Sequence, residues 1–234
     1  MVKRRVAIIP ARGGSKRIPK KNIIDFNGKP MIAWSILAAK ESAVFDRILV
    51  STDDLEIAKI ALEYGAEVPF LRKKWADDHS TVSEATAAAL QQAMYYWQEE
   101  YSTVVQLMAN CPLRTGQDIV CAVASFEKEQ RSAQISCFEY GWMNPWWATR
   151  IDDTGQPIKM FPEAFDSRSQ DLPKLYCPTG AIWISDTDAL LTYKSFYSPL
   201  HVFEPLSLRS AVDIDDYEDL KFAKALATEG EISK

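Results

Sequence analysis

The sequence predicts an α/β domain, a mostly parallel, twisted sheet with helices on both faces. Short apolar runs alternate with helical patterns through residues 5–130, and strand, helix, strand in that order implies a parallel sheet. The apolar runs are continuous, as strands covered on both faces must be. "RVAIIPA" (5–11) reads as the first buried strand and "PMIAWSILAAKES" (30–42) as a helix whose proline suits the first turn. "RILVST" (47–52) is the next strand, and "DDLEIAKIALEYGA" (53–66) is a helix opened by Asp53 and Asp54 and closed near Gly65. "EVPFLR" (67–72) reads as a short third strand. "TVSEATAAALQQAMYYWQEEY" (81–101) is the longest helix, with Thr81 and Glu84 spaced as a capping box and Tyr95, Tyr96 and Trp97 taken as core. "TVVQLMA" (103–109) returns to a strand and "GQDIVCAVASFEKEQ" (116–130) to a helix.

From about residue 133 the rhythm changes to aromatics and turn residues, with "DDTGQP" reading as a hairpin turn. Residues 135–175 or so are therefore expected to form an inserted antiparallel arm. The parallel scheme is expected to resume with "GAIWIS" (180–185), the helix "TDALLTYKSF" (187–196), the run "AVDID" (211–215) and a last helix from residue 216. With 234 residues, one main domain spanning 1–234 is the expectation.

Composition removes several classes of function. At 47% hydrophobic and 25% charged residues the chain has the make-up of a globular protein. No apolar run is long enough for a bilayer or a secretory leader, which predicts a cytoplasmic protein with no membrane partner. Four cysteines without a Cys-x-x-Cys pair, and only two histidines, argue against a disulfide framework or a zinc site. A net charge of -5 disfavours bulk binding to nucleic acid.

Against that acidic background, "IPARGGSKRIPKKN" (9–22) places a cationic loop directly after the first strand. Ligands of open parallel sheets bind beyond the carboxyl ends of the strands. Gly13 and Gly14 let the backbone curl its N–H groups toward an anion, and Arg12, Lys16 and Lys21 can add charge-assisted hydrogen bonds. The pattern matches neither a Walker loop nor a dinucleotide fingerprint. A solvated basic turn is the plainer alternative. The second chemical feature is "AVDIDDYEDL", where Asp213 and Asp215 are two apart. On a strand both carboxylates leave one face and suit a hard cation such as Mg2+; the alternative is that Asp215 or Asp216 only caps the next helix.

These stretches resemble the cytidylyltransferases that activate nine-carbon acidic sugars, the CMP-sialic acid synthetase family, over nearly the whole chain. The resemblance implies the Rossmann-type three-layer fold of nucleotide-diphospho-sugar transferases. It implies that Ala11, Arg12, Gly13, Gly14, Ser15, Lys16, Lys21 and Asn22 hold the CTP. It assigns Arg72, Ser80 and Thr81 in "PFLRKKWADDHST" to the nucleotide. "VVQLMANCPLR" resembles the family's "LLQPTSPLR", making Gln106 a nucleotide or sugar contact and Arg114 a further cation. "YCPTGAIWIS" resembles "NGAIYI", with Thr179 at the asparagine. "DIDTPED" in the family implies that Asp213 and Asp215 bind the metal and leaves Asp216 as the cap. The stretch "EYGWMNPWWA" resembles the pseudaminic acid enzymes of bacteria, whose sugar carries methyl and acylamino groups. Trp146 and Trp147 would then face the sugar; core or dimer packing of Trp142, Trp146 and Trp147 is the alternative. The implied reaction joins CTP and pseudaminic acid into CMP-pseudaminic acid and pyrophosphate, with sialic, legionaminic and 3-deoxy-octulosonic acid as rival substrates and a non-catalytic nucleotide-binding module as the rival class. A homodimer formed through the arm is also implied.

Overall fold

In a computed structural model describing residues 4–72 and 81–232, the chain forms ten strands and seven α-helices. β1 (Arg5–Pro10) is followed by the short β2 (Asp25–Phe26) and β3 (Lys29–Pro30), then α1 (Met31–Ser42), β4 (Arg47–Ser51) and α2 (Leu55–Glu63). α3 (Val82–Trp97), β5 (Thr103–Gln106), α4 (Gly116–Lys128) and β6 (Ala133–Glu139) complete the first half. β7 (Thr149–Ile151) and β8 (Pro157–Lys159) precede β9 (Tyr176–Asp186), α5 (Thr187–Tyr193), β10 (His201–Pro205), α6 (Leu208–Ala211) and α7 (Tyr217–Ile232).

Six strands form the central sheet in the order β10-β6-β9-β5-β1-β4. β1 runs parallel to β4 and β5, and β10 runs parallel to β6. The interior strand β1, between β5 and β4, shows why the first apolar run is unbroken. Ala7 and Ile9 pack toward α1, α2 and α4, whereas Val6 and Ile8 pack toward α3 and α5, and all four are fully buried. A strand covered on both faces has no polar side to display. Burying each Val or Ile contributes about 1.5–3 kcal/mol. The capping boxes form as the sequence spacing requires: Thr81 with Glu84 opens α3, and Thr115 with Asp118 opens α4.

The structure corrects several expectations. Residues 67–72 form no strand: the ladder is reduced to one parallel bridge, Leu49 to Glu67, because Pro69 has no N–H to continue it, and Arg72 N–H then donates to Thr52 O at 2.7 Å. β9 is antiparallel to both β5 and β6 instead of resuming the parallel scheme. A continuous apolar run carries no information about direction, so nothing in "GAIWIS" marked this. β10, an edge strand, went unpredicted; its short run alternates in exposure. Residues 133–139 belong to the central sheet, so the excursion begins after Glu139. It contains the β7–β8 hairpin. "AVDID" is not a strand: α6 ends at Ala211, and residues 212–215 run outside any regular element. Tyr95 and Tyr96 are 81% and 59% exposed rather than core, and Trp97 is covered by Arg47.

A third apolar cluster governs the functional end of the sheet. Ile18, Phe26, Met31, Leu113, Val212 and Ile214 pack with Leu220 and Ala223 of α7. It ties the cationic loop to the aspartate segment from a distance of nearly 200 residues in sequence.

Candidate active site

A cleft of about 550 Å³ opens beyond the ends of β1 and β5, where a parallel sheet places its ligands. One wall is the cationic loop with Arg12, Ser15, Lys16, Arg17, Lys21 and Asn22. The others are Arg72, the N-terminal turn of α3 with Thr81, the segment Met108–Asn110 after β5, and Asp213 with Asp215. The positive end of the 16-residue α3 adds to the loop's charge, an arrangement suited to an anion.

The loop is shaped by short local contacts. Gly13 N–H donates to Asp53 Oδ1 at 3.0 Å, and Ser15 N–H donates to Gly13 O at 3.0 Å. A Cβ at Gly13 would lie 2.6 Å from Asp54 Oδ2, so the close approach to α2 requires glycine. Gly14 faces open space. Asn22 is buried, and its Nδ2 donates to Arg12 O at 2.9 Å, which makes it a support for the loop backbone as well as a lining residue. Ile18 is fully buried between exposed neighbours and pins the loop in place.

Asp213 and Asp215 flank Ile214, which is fully buried in the same cluster as Ile18. The two carboxylates therefore stay at the cluster's rim and both line the cleft, without a strand to align them. Lys21 Nζ donates to Asp215 Oδ1 at 2.8 Å and to Ile214 O at 2.9 Å, while Arg17 Nη2 lies 2.6 Å from Asp215 Oδ2. Burial alone would raise the Asp215 pKa, but the bonds and charges of Lys21 and Arg17 outweigh it and hold the carboxyl below its usual range. Asp213 differs. Burial, then the neighbouring Asp215 charge, raises it to about 6. Asn110 Nδ2 donates to Asp213 Oδ1 and, at 3.0 Å, to Ile214 O, and Asn110 O accepts from Ile214 N–H at 2.9 Å. Asp216 caps α7, accepting from the N–H groups of Glu218 and Asp219.

Arg12, Ser15, Lys16, Lys21, Asn22, Arg72, Thr81, Asp213 and Asp215 thus converge on one cleft as the sequence suggested. Burial, opposed by Asp53 and reinforced by Arg12, lowers the Arg72 pKa, and its Nε has no hydrogen-bond partner among the described residues. Ser80 lies outside the described residues.

Ala11, Gly13 and Gly14 shape the loop without lining the cleft, Ala11 being buried with its N–H donating to Ser51 O at 2.9 Å, and five further residues do not converge on it. Gln106 is fully buried, its amide oxygen accepting from Thr86 Oγ1 at 2.7 Å beneath α3. In the resembled "LLQPTSPLR" the glutamine stands four residues before the proline, and here that place is held by Met108, which does line the cleft. Arg114 is also internal: Nη1 donates to Ala181 O at 2.6 Å, and burial lowers its pKa to about 10. Thr179 donates to Ala211 O at 2.6 Å and anchors the segment leading to Asp213. Trp146 and Trp147 lie away from this cleft, their indole N–H groups donating to Pro173 O and Ala164 O within the excursion. Arg17, Asn110 and Met108 were missed. Arg17 was visible in the cationic run, but nothing in residue type alone marked the other two.

Gly180 explains how Met108 fits. A Cβ there would lie 2.6 Å from Met108 Cγ and 3.6 Å from Asp213 Oδ2, so the glycine leaves room for an apolar side chain near the Asp213 carboxylate.

Comparison with known proteins agrees with this geometry. A family model described as Cytidylyltransferase matches residues 6–179. A pseudaminic acid cytidylyltransferase of Campylobacter jejuni is 40% identical over 228 residues, covering 94% of this chain and 95% of the relative. A CMP-N,N'-diacetyllegionaminic acid synthase of Legionella pneumophila is 35% identical over 90% of both chains. Among solved structures, CMP:2-keto-3-deoxy-manno-octonic acid synthetase complexed with CTP superposes with a TM-score of 0.73 at 17% identity, covering 97% of this chain and 100% of that one, a likeness of fold. The chain belongs to the cytidylyltransferase family.

Proposed function

We propose that this protein is a CTP-dependent nucleotidyltransferase that converts CTP and pseudaminic acid into CMP-pseudaminic acid and pyrophosphate. The single observation that carries the reading is the meeting, in one cleft, of the cationic loop and the Asp213–Asp215 pair, with Lys21 2.8 Å from Asp215. A triphosphate and a divalent cation are the ligands such opposed charges fit. The apolar Met108 beside Asp213 favours a sugar acid with methyl and acylamino groups over one bearing only hydroxyls.

The residues fit magnesium. Two carboxylates share one lip, both offer hard oxygen donors, and burial together with mutual repulsion penalises the Asp213 charge, a cost that a divalent cation offsets. Asp213 and Asp215 would hold the ion. Bound there, it would supply Lewis-acid neutralisation of phosphate charge and lower the pKa of a nearby hydroxyl.

In the reaction the anomeric hydroxyl attacks the α-phosphorus and gives its proton up to solvent, a new P–O bond forms, and the bond from the α-phosphorus to the oxygen bridging to the β-phosphate breaks, releasing pyrophosphate. Little covalent chemistry is asked of the protein, so positioning and charge neutralisation dominate. Arg12, Lys16 and Lys21 stabilise the charge growing on pyrophosphate, with the N-terminal turn of α3 adding its dipole. Asn22 keeps the loop backbone in shape, Thr81 and Arg72 line the nucleotide side, and Asn110 orients Asp213.

The excursion over residues 140–175 is read as a dimerisation arm. Trp142, Ile151 and Met160 are 83%, 71% and 55% exposed, an apolar display that a second copy would cover. Among the described residues, no helix is long and apolar enough to cross a membrane.

Mass spectrometry after incubation with CTP, magnesium and a mixture of pseudaminic, legionaminic, sialic and 3-deoxy-octulosonic acids tests the function. CMP-pseudaminic acid as the dominant product is the expected result. Dominance of another CMP-sugar would reassign the substrate, and no CMP-sugar at all would refute the reading.

A further inference from the structure

Both oxygens of Asp215 are already taken. Lys21 Nζ lies 2.8 Å from Oδ1 and Arg17 Nη2 lies 2.6 Å from Oδ2. A divalent cation approaching this carboxylate therefore meets two positive charges, and releasing one of them lowers the repulsion it faces. The surroundings decide which. Lys21 is held a second time by Ile214 O at 2.9 Å, and its side chain is only 15% exposed. Arg17 is 63% exposed, and an ion pair that open to solvent contributes little to stability. The same Arg17 side chain lines the cleft alongside Ser15 and Lys16, within the loop read as the triphosphate cradle. A guanidinium binds phosphate oxygens in a bidentate fork.

We propose that Arg17 is an exchange residue for the transfer reaction. With no nucleotide it caps Asp215 and holds divalent cations off; an arriving triphosphate draws Arg17 away and uncovers Asp215, so metal binds productively after nucleotide. This inference rests on the metal reading of Asp213 and Asp215 given above, and goes beyond it by assigning order to the two ligands. Asp213 takes a different part: Asn110 Nδ2 donates to it, whereas Arg17 pairs with Asp215.

The test is Mn2+ binding to the nucleotide-free full-length protein, followed by calorimetry or electron paramagnetic resonance, in wild type, Arg17→Ala, Arg17→Lys, Asp215→Asn and the Arg17→Ala/Asp215→Asn double variant. Arg17→Ala should bind Mn2+ roughly two- to fivefold more tightly than wild type, the range that loss of one exposed cation–carboxylate pair allows. Arg17→Lys keeps the charge and should stay near wild type, and the double variant should show no gain over Asp215→Asn. The KM for CTP should rise in Arg17→Ala because the triphosphate has lost a partner. Unchanged or weaker Mn2+ binding in Arg17→Ala would overturn the exchange, as would an unchanged KM. The two readings fail separately. If Asp215→Asn weakens Mn2+ binding but Arg17→Ala brings no gain, only the exchange falls; if Asp215→Asn binds Mn2+ as wild type does, the metal assignment falls with it.

Discussion

Around the cleft, several charged groups have a buried neighbour in sequence: Ile18 beside Arg17, Asn22 beside Lys21, Ile214 between Asp213 and Asp215. In the excursion over residues 140–175 the pattern is reversed. Trp142, Ile151 and Met160 point outward, and Ala164 alone among residues 140–175 is a buried hydrophobic side chain. The difference teaches where rigidity comes from. The backbone that carries the cleft's charged groups is anchored in the core of one chain, while exposed side chains such as Arg17 stay free to exchange partners. The excursion keeps much of its apolar surface in water, and a second copy is the occupant proposed for it.

The comparison can be broken most severely at the carboxylates. Asp213→Asn should lower kcat/KM roughly 10³-fold, about 4 kcal/mol of transition-state stabilisation, with an unchanged circular-dichroism spectrum. Ile214→Ala attacks the same site through packing. It should cost about 2–5 kcal/mol of stability in denaturant unfolding and reduce activity as well, because both flanking carboxylates lose their anchor.

Those two effects bear on how much was legible in the sequence. The cationic loop and the Asp-x-Asp pair could be read because charge broken by single apolar residues is a local pattern, even though the expected strand under the aspartates does not form. Gln106 and Arg114 misled for a common reason: the resemblance to "LLQPTSPLR" implied a ligand contact, while position in the fold decided burial. Gln106 ends β5 beneath α3, and Arg114 is used inside the protein to bond Ala181 O. Thr179 was likewise structural, and Asn110 escaped notice because its importance lies in a bond to a residue 103 positions away. Strand direction in β9 is a long-range property that its apolar run does not encode.

Met108→Gln sharpens the comparison by changing cleft chemistry without touching charge. The ratio of kcat/KM for pseudaminic acid to that for N-acetylneuraminic acid should fall by roughly 10-fold or more, with the KM for CTP unchanged. Trp142→Ala, in the excursion, should alter unfolding free energy by less than about 0.5 kcal/mol while shifting light scattering toward monomer.

The smallest expected effect lies far from both regions. Glu99, bonded by Arg47 and then Tyr101, has its pKa lowered to about 2. A carboxyl depressed on folding contributes stability that is fully present above its unfolded pKa and lost as pH falls through the folded one. Wild type should therefore lose its advantage over Glu99→Gln in melting temperature as pH falls from about 5 toward 2.

The central claim is that the aspartate pair and the cationic loop act together on CTP in the presence of the sugar acid. Pyrophosphate release, with CTP, magnesium and pseudaminic acid supplied to wild type and Asp215→Asn, tests it most directly. Sugar-dependent release by wild type, matched by the CMP-sugar formed and nearly abolished in Asp215→Asn, is the result the account predicts. No release by wild type, or release by Asp215→Asn at the wild-type rate, would contradict it.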